Sequence, residues 1–302
     1  MTRYFFVTAA VLAAAAGASA QVIDGTADAS YGPALAVQNT QTGFGDSNLG
    51  QVNFANGSEL DGLFGYISGG NLNLVLTGNL ESNYNKLELF FDTRAGGQNQ
   101  LRGDNPNVSF NGLNRMGDDG SGNGLRFDTG FGADFWFSAT GGDAGGGNYG
   151  FFVDYSEILT GGGGSNGYFV GGNNGQGALS GGNNPFGVQV AINNSNVAGV
   201  TGGNGLASGA GVITGVEFSI PLSALGDPTG PIAVCAFVNG SGHDYVSNQV
   251  LGGIGGGDNL ADPRNVNFSQ IAGDQFVVVV PAPASLALLG LGGVVAGRRR
   301  RA

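Results

Sequence analysis

The densest run of metal-ligating chemistry in this chain is Asp118-Asp119-Gly120-Ser121-Gly122-Asn123-Gly124, followed by Asp128. Ca²⁺ takes about six to eight oxygen ligands, and flexible loops supply them readily. Asp104, in the neighbouring turn Gly103-Asp104-Asn105-Pro106-Asn107, can complete such a shell. Asp104, Asp118, Asp119, Asn123 and Asp128 are therefore a candidate calcium set, although a solvated turn has the same composition. The spacing is not that of an EF-hand, which closes on a Glu at its twelfth position. Residues 252–260 nearly copy a calcium-binding nonapeptide repeat, but with one residue too many and no tandem copy, so they read as a loop.

A second candidate is Asp134-Phe135-Trp136-Phe137-Ser138. In a strand, Phe135 and Phe137 point one way and Asp134 and Trp136 the other. An exposed indole beside a carboxylate can stack on a pyranose while Asp134 takes its hydroxyls; the alternative is that Trp136 fills a core between sheets. Tyr66, Tyr149, Tyr155 and Tyr168 are further aromatic platforms that the sequence does not rank.

Catalysis finds little support. With one His (His243) and one Cys (Cys235), a zinc site built on several such ligands is unavailable. Neither a Gly-x-Ser-x-Gly elbow nor a phosphate-binding Gly-x-x-x-x-Gly-Lys loop occurs. Ser241, His243 and Asp244 crowd one turn, where near neighbours rarely adopt triad geometry. Cys235 lies in an apolar strand and reads as an inert buried thiol. A two-carboxylate glycosidase stays chemically open with 22 acidic residues, but sequence cannot set the carboxylate separation. The expectation is a non-enzymatic protein, with a secreted glycoside-active enzyme as an alternative.

These candidates sit on a β-rich body. In residues 71–80 Leu72, Leu74 and Leu76 alternate with Asn71, Asn73 and Thr77, and Gly69-Gly70 before them suits a two-residue hairpin turn. Residues 86–92 place Leu87, Leu89 and Phe91 inward and Lys86 and Glu88 outward. Phe186, Val188, Val190 and Ile192 align on one face, as do Val212, Thr214, Val216, Phe218 and Ile220. Residues 232–238 and 276–280 are apolar on both faces and predict central strands. A short helical turn is expected at 221–225, opened by Pro221 and closed by Gly226. The fold class predicted is all-β, an antiparallel β-sandwich of jelly-roll type over residues 21–280, with long Gly-rich loops where Gly concentrates between 141 and 211. Collagen is excluded, because 61 Gly are accompanied by only 9 Pro and no triplet period; a single Cys excludes a disulfide scaffold.

The termini predict where the body travels. Arg3, an apolar run over 4–16 and the small-x-small site Ala18-Ser19-Ala20 form a secretory signal over 1–20, cleaved after Ala20. At the other end Pro281 and Pro283 precede an uncharged run, residues 284–297, closed by Arg298, Arg299, Arg300 and Arg301. Fourteen helical residues rise about 21 Å, short of a hydrocarbon core of about 30 Å, so this transmembrane helix spans only with help from its flanks. The arginines hold that end in the cytoplasm and leave the body outside. Removing Arg3 and the four terminal arginines leaves six basic residues against 22 acidic ones, a net charge near −16. Such a body repels nucleic acid and attracts divalent cations.

The tail 281–302 resembles the PEP-CTERM sorting signal of bacteria that make exopolysaccharide, with Val280-Pro281-Ala282-Pro283 in place of the usual Pro-Glu-Pro motif. That resemblance implies recognition by an exosortase-type membrane protease, a transient membrane anchor, and a final place at the cell surface or in the matrix. The body resembles the family 9 carbohydrate-binding modules and their DOMON-like relatives, through Ile23-Asp24-Gly25, Asp28 and Tyr31, residues 86–93, and residues 215–226. The resemblance implies a β-sandwich that binds a polysaccharide or haem. The family's sugar clamp uses paired Trp, where this chain has Trp136 alone, and a haem would have Met116 and His243 as axial ligands.

Overall fold

A computed structural model describes residues 21–281; the signal segment at 1–20 and all of the sorting tail beyond Pro281 lie outside the described residues. Twelve strands are assigned among the described residues: β1 (Ala36–Val37), β2 (Glu59–Ser68), β3 (Asn71–Asn79), β4 (Lys86–Asp92), β5 (Phe135–Asp143), β6 (Tyr149–Glu157), β7 (Gly167–Asn173), β8 (Gln189–Ile192), β9 (Gly215–Pro221), β10 (Ile232–Asn239), β11 (Val246–Val250) and β12 (Val277–Val279). They form two antiparallel sheets. The first runs β1-β2-β3-β9-β8, and the second runs β11-β10-β4-β5-β6-β7 with β12 added on β10. The all-β sandwich expected from the sequence is the fold.

Local sequence explains the first sheet directly. Gly69 and Gly70 both take left-handed backbone (φ 61° and 82°), which the tight turn between β2 and β3 requires and which other residues resist. Register then pairs Leu74 with Gly65 on one side and Phe218 on the other. Leu72, Leu74 and Leu76 meet Leu87, Leu89 and Phe91 of the second sheet in the main core. The turn expected after β9 is a 3₁₀ turn, Leu222–Leu225, capped by Pro221 and closed by left-handed Gly226.

The outer faces differ from the sequence reading. Asn73 and Thr77, expected at the surface, are buried, as are Lys86 and Glu88. The cause is that both sheets carry a further covering. On the first sheet, residues 21–37 fold back so that Ala27 and Tyr31 pack on Val75. Their anchor is the buried carboxylate of Glu217 on β9. It accepts hydrogen bonds from the backbone N–H of Asp24 (2.8 Å) and Gly25 (2.9 Å), the Tyr31 hydroxyl (2.7 Å) and the Gln21 amide (3.1 Å). Gly25 is obligatory here, because its φ is 83° and a Cβ would crowd the backbone of Ile192 and Asn193.

The second sheet is covered by the excursion between β4 and β5, residues 93–134, and by residues 251–276. The excursion contains the short helix α1 (Gly112–Met116). Leu101, Leu113, Met116, Leu125, Phe127 and Phe268 close a second core over Phe90, Trp136, Cys235 and Phe237. The strand predicted as central at 276–280 is also corrected: β12 has three residues, pairs only with β10, and leaves Val278 exposed. Pro281, by removing a ladder donor, limits its length.

At one end of the sandwich Glu59 and Asp61 are buried side by side. The Asn196 amide donates to both (2.7 and 3.1 Å), and Glu59 Oε2 has no partner. Burial, then mutual repulsion for Glu59, pushes the two carboxyls well above the usual carboxylate range. The native state therefore keeps a proton that the unfolded chain releases at ordinary carboxylate pH. Between those limits the folded form binds more protons, so stability falls as pH rises. We expect the Tm to decline from about pH 5 upward through neutrality, and Glu59→Gln to flatten that decline; an unchanged slope in scanning calorimetry would show that the pair does not govern it.

Candidate functional site

The covering of the second sheet is incomplete over β4, β5 and β6. There a pocket of about 400 Å³ opens, lined by Tyr84, Lys86, Ser109, Phe110, Thr140, Phe152, Asp154 and Phe169. Its floor follows from strand register. Lys86 is opposite Thr140, and Thr140 is opposite Phe152; one pair along, Glu88 is opposite Ser138, and Ser138 is opposite Asp154. Period-two alternation places these side chains on the face away from the main core. The rim is aromatic. Phe110 is 88% exposed, the highest value for a large apolar side chain among the described residues, with Tyr84 at 42% and Phe169 at 37%.

Beneath the pocket runs a chain of hydrogen bonds through buried groups. Glu88 is fully buried and accepts from Trp136 Nε1 (2.9 Å), Asn239 Nδ2 (3.3 Å) and His243 Nδ1 (2.6 Å). A carboxylate only accepts, so the imidazole proton sits on Nδ1 and Nε2 faces the Ser109 hydroxyl at 3.1 Å. Ser109, partly exposed, brings this line into the pocket.

Backbone strain accompanies the line. Ser109, Phe110 and Asn111 are consecutive left-handed residues (φ 50°, 54° and 66°), and His243 is left-handed as well (φ 57°). For L-residues other than glycine this conformation costs roughly 1–2 kcal/mol each. It is held in place because Val108 on one side and Leu113 and Met116 on the other are anchored in the second core. Gly112 leaves room for the imidazole, since a Cβ there would collide with the His243 ring.

Charge in the pocket is mixed. Burial pushes the Asp154 carboxyl up, against a hydrogen bond from Ser109 and the charge of Lys86. Burial lowers Lys86, against the charges of Glu88 and Asp154. Two buried hydroxyls on this face, Ser138 Oγ and Thr140 Oγ1, have no hydrogen-bond partner among the described residues. Thr140 lines the pocket, but its hydroxyl is itself buried.

The residues singled out from sequence are placed otherwise. Trp136 and Asp134 are both buried, so neither forms an exposed sugar platform. The alternation along β5 is as expected, and of the two readings for Trp136 the core one holds, under the second core. Trp136 spends its N–H on Glu88, and Asp134 accepts from the backbone of Thr93 and Arg94 and from the Arg94 guanidinium. Asp104, Asp118 and Asp119 do share one shallow depression, but Arg102 lies in it too. Arg102 grips Asp104 through two bonds (2.9 and 2.8 Å), Asp118 accepts from the backbone of Gly120 and Gly122, and Arg264 lies 3.6 Å from Asp119. Asn123 is exposed beside Ser121. Asp128 is elsewhere, accepting from the backbone of Thr129 and Gln275. The five residues do not converge on one shell, and no group of three or more His, Cys, Asp or Glu is placed to hold a metal among the described residues. Cys235 is buried, and burial pushes its thiol up, as an unreactive core residue requires.

The residues that do converge, Glu88, Ser109 and His243, escaped the sequence reading because partners for His243 were sought among adjacent Ser241 and Asp244. The available signal was a carboxylate inside the apolar run Leu87-Glu88-Leu89-Phe90-Phe91, in a chain with a single His.

Comparison with known proteins adds one match. Residues 279–301 match the PEP-CTERM protein-sorting motif. The motif marks an exported bacterial protein associated with the cell envelope, processed by an exosortase and anchored through its C-terminus. The match starts two residues before the Pro motif, inside β12, where Val279 is buried and paired with Ile232. No curated protein and no solved structure matches the chain, so nothing supports the resemblance of the body to carbohydrate-binding or DOMON-like modules. The residues that carried it have structural tasks: Gly25 and Tyr31 dock on Glu217, and Asp28 caps the 3₁₀ turn at Ser30.

The fit of His243 against Gly112 is open to test. Gly112→Ala is expected to displace the imidazole and destabilise the fold by about 1–3 kcal/mol. Urea unfolding with the His243 ring resonances as a second probe checks this, and an unchanged ring environment would mean that the contact is not a constraint.

Proposed function

We propose that the body is an envelope-displayed carbohydrate-binding β-sandwich whose ligand is seated in the pocket on the outer face of the second sheet. The observation that carries this reading is the rim: Phe110, exposed on a strained turn, stands with Tyr84 and Phe169 around a floor of Lys86, Thr140 and Asp154. Aromatic faces suit the apolar faces of sugar rings. Display outside the cell suits an extracellular glycan as ligand, and a strongly acidic body favours a neutral or cation-bridged glycan over an acidic one. Relative to the sequence reading, the site moves from Trp136 to a different set of aromatics.

Two measurements test the proposal. On a glycan array and by isothermal titration with exopolysaccharide fragments, Phe110→Ala is expected to weaken binding about tenfold while leaving the Tm unchanged. No binding by the wild-type chain would sink the assignment. Truncation after Val280 keeps β12 and removes the rest of the sorting motif, so it is expected to release the folded body from the membrane fraction into the medium. Retention like that of the full chain would show that the tail is not the anchor.

A further inference from the structure

We propose that Ser109 is an acyl-accepting nucleophile, with His243 as its general base and Glu88 as the residue that positions His243, and that the pocket takes a carboxylic ester. The inference uses the pocket of the proposed function but does not need its ligand to be a sugar.

Geometry supports it first. Ser109 Oγ, His243 Nε2, His243 Nδ1 and Glu88 Oε1 form a continuous line at 3.1 and 2.6 Å, although the three residues come from a strained turn, a distant loop and a central strand. A hydroxyl is a weak nucleophile until an adjacent base takes its proton, and that base must in turn be held by a third group. Glu88 is itself held in place by two further donors, Trp136 and Asn239. Rigid support of this kind is what a working base requires.

Strain is the second observation. Left-handed backbone at Ser109, Phe110, Asn111 and His243 gathers at one place four of the seven positive-φ residues other than glycine among the described residues. Such strain clusters where a fold must present a side chain against its own preference. Here it turns Ser109 toward the imidazole at the pocket wall. Asp154 is a second acceptor for the Ser109 hydroxyl, and burial pushes its carboxyl up.

The reaction balances without any partner other than water. Ser109 Oγ bonds to the ester carbonyl carbon while its proton passes to His243 Nε2. The bond from that carbon to the alcohol oxygen breaks as the same proton is delivered to the leaving oxygen, giving free alcohol and acyl-Ser109. Water then gives a proton to Nε2, its oxygen bonds to the acyl carbon, and the Ser109 ester bond breaks as Ser109 regains a proton and the carboxylic acid departs. Lys86 supplies positive charge in the pocket for the negative charge that develops on the carbonyl oxygen. The rings of Phe110, Phe152 and Phe169 suit the acyl group.

The test is covalent labelling of the full chain, purified from the envelope, with a fluorophosphonate probe and peptide mapping by mass spectrometry. We expect phosphonylation at Ser109, none at that peptide in Ser109→Ala, and labelling about 1,000-fold slower or worse in His243→Ala. Glu88→Gln, which keeps the shape of the acceptor, is expected to move the pH profile of labelling, an effect that loss of structural support alone does not produce. Absence of label at Ser109 in folded wild-type protein overturns the proposal, as does labelling that survives His243→Ala unchanged. Label without glycan binding upholds the nucleophile and removes the sugar reading; glycan binding without label does the reverse.

Discussion

A carboxylate out of reach of water organises the outer half of this molecule. Glu88 points away from the main core, toward the side on which an isolated two-sheet sandwich would face solvent. Once the excursion from β4 to β5 covers that side, the charge must be met by donors, and Trp136, Asn239 and His243 meet it. Each donor comes from a different stretch of chain, so the carboxylate ties β4, β5, β10 and the loop after β10 into one unit. The covering layer, the His243 loop and the pocket wall at Ser109 all depend on that arrangement.

The same device recurs on the opposite sheet. Glu217 gathers backbone and side-chain donors from the first residues of the described chain and so fixes residues 21–37 over β3 and β9. Both acids occupy central strands and both recruit segments that contain little regular structure. Glycine-rich loops cannot hold a position by their own propensity, because ordering them costs backbone entropy. Charge-assisted hydrogen bonds at fixed points in the sheets let such loops pack as layers.

This division explains what could be read in advance. Leu72, Leu74, Leu76, Leu87, Leu89 and Phe91 announced the main core because burial on one face of a strand has a period of two. The Gly69-Gly70 turn announced a hairpin because few residues tolerate its backbone. The sequence places Glu88 outside and leaves Trp136 open between surface and core for one shared reason: the layer that buries them, residues 93–134, has no periodic pattern, being built of turns around Leu101, Leu113, Phe127 and Phe131. Nothing local to Ser109 or His243 signals their meeting, which rests on contacts between residues more than a hundred positions apart. The sorting signal was legible because its function requires a linear order of residue types, whereas the pocket requires three-dimensional register.

The junction between body and tail has a mechanical implication. Val279 belongs at once to the sorting motif and to the core, as the last residue of β12, and Pro281 still bridges to Ile67. From Val279 to the first residues of the apolar run at 284 there are five residues, a reach of at most about 18 Å. An exosortase that recognises this motif meets a sequence whose first residue is already paired within the folded body.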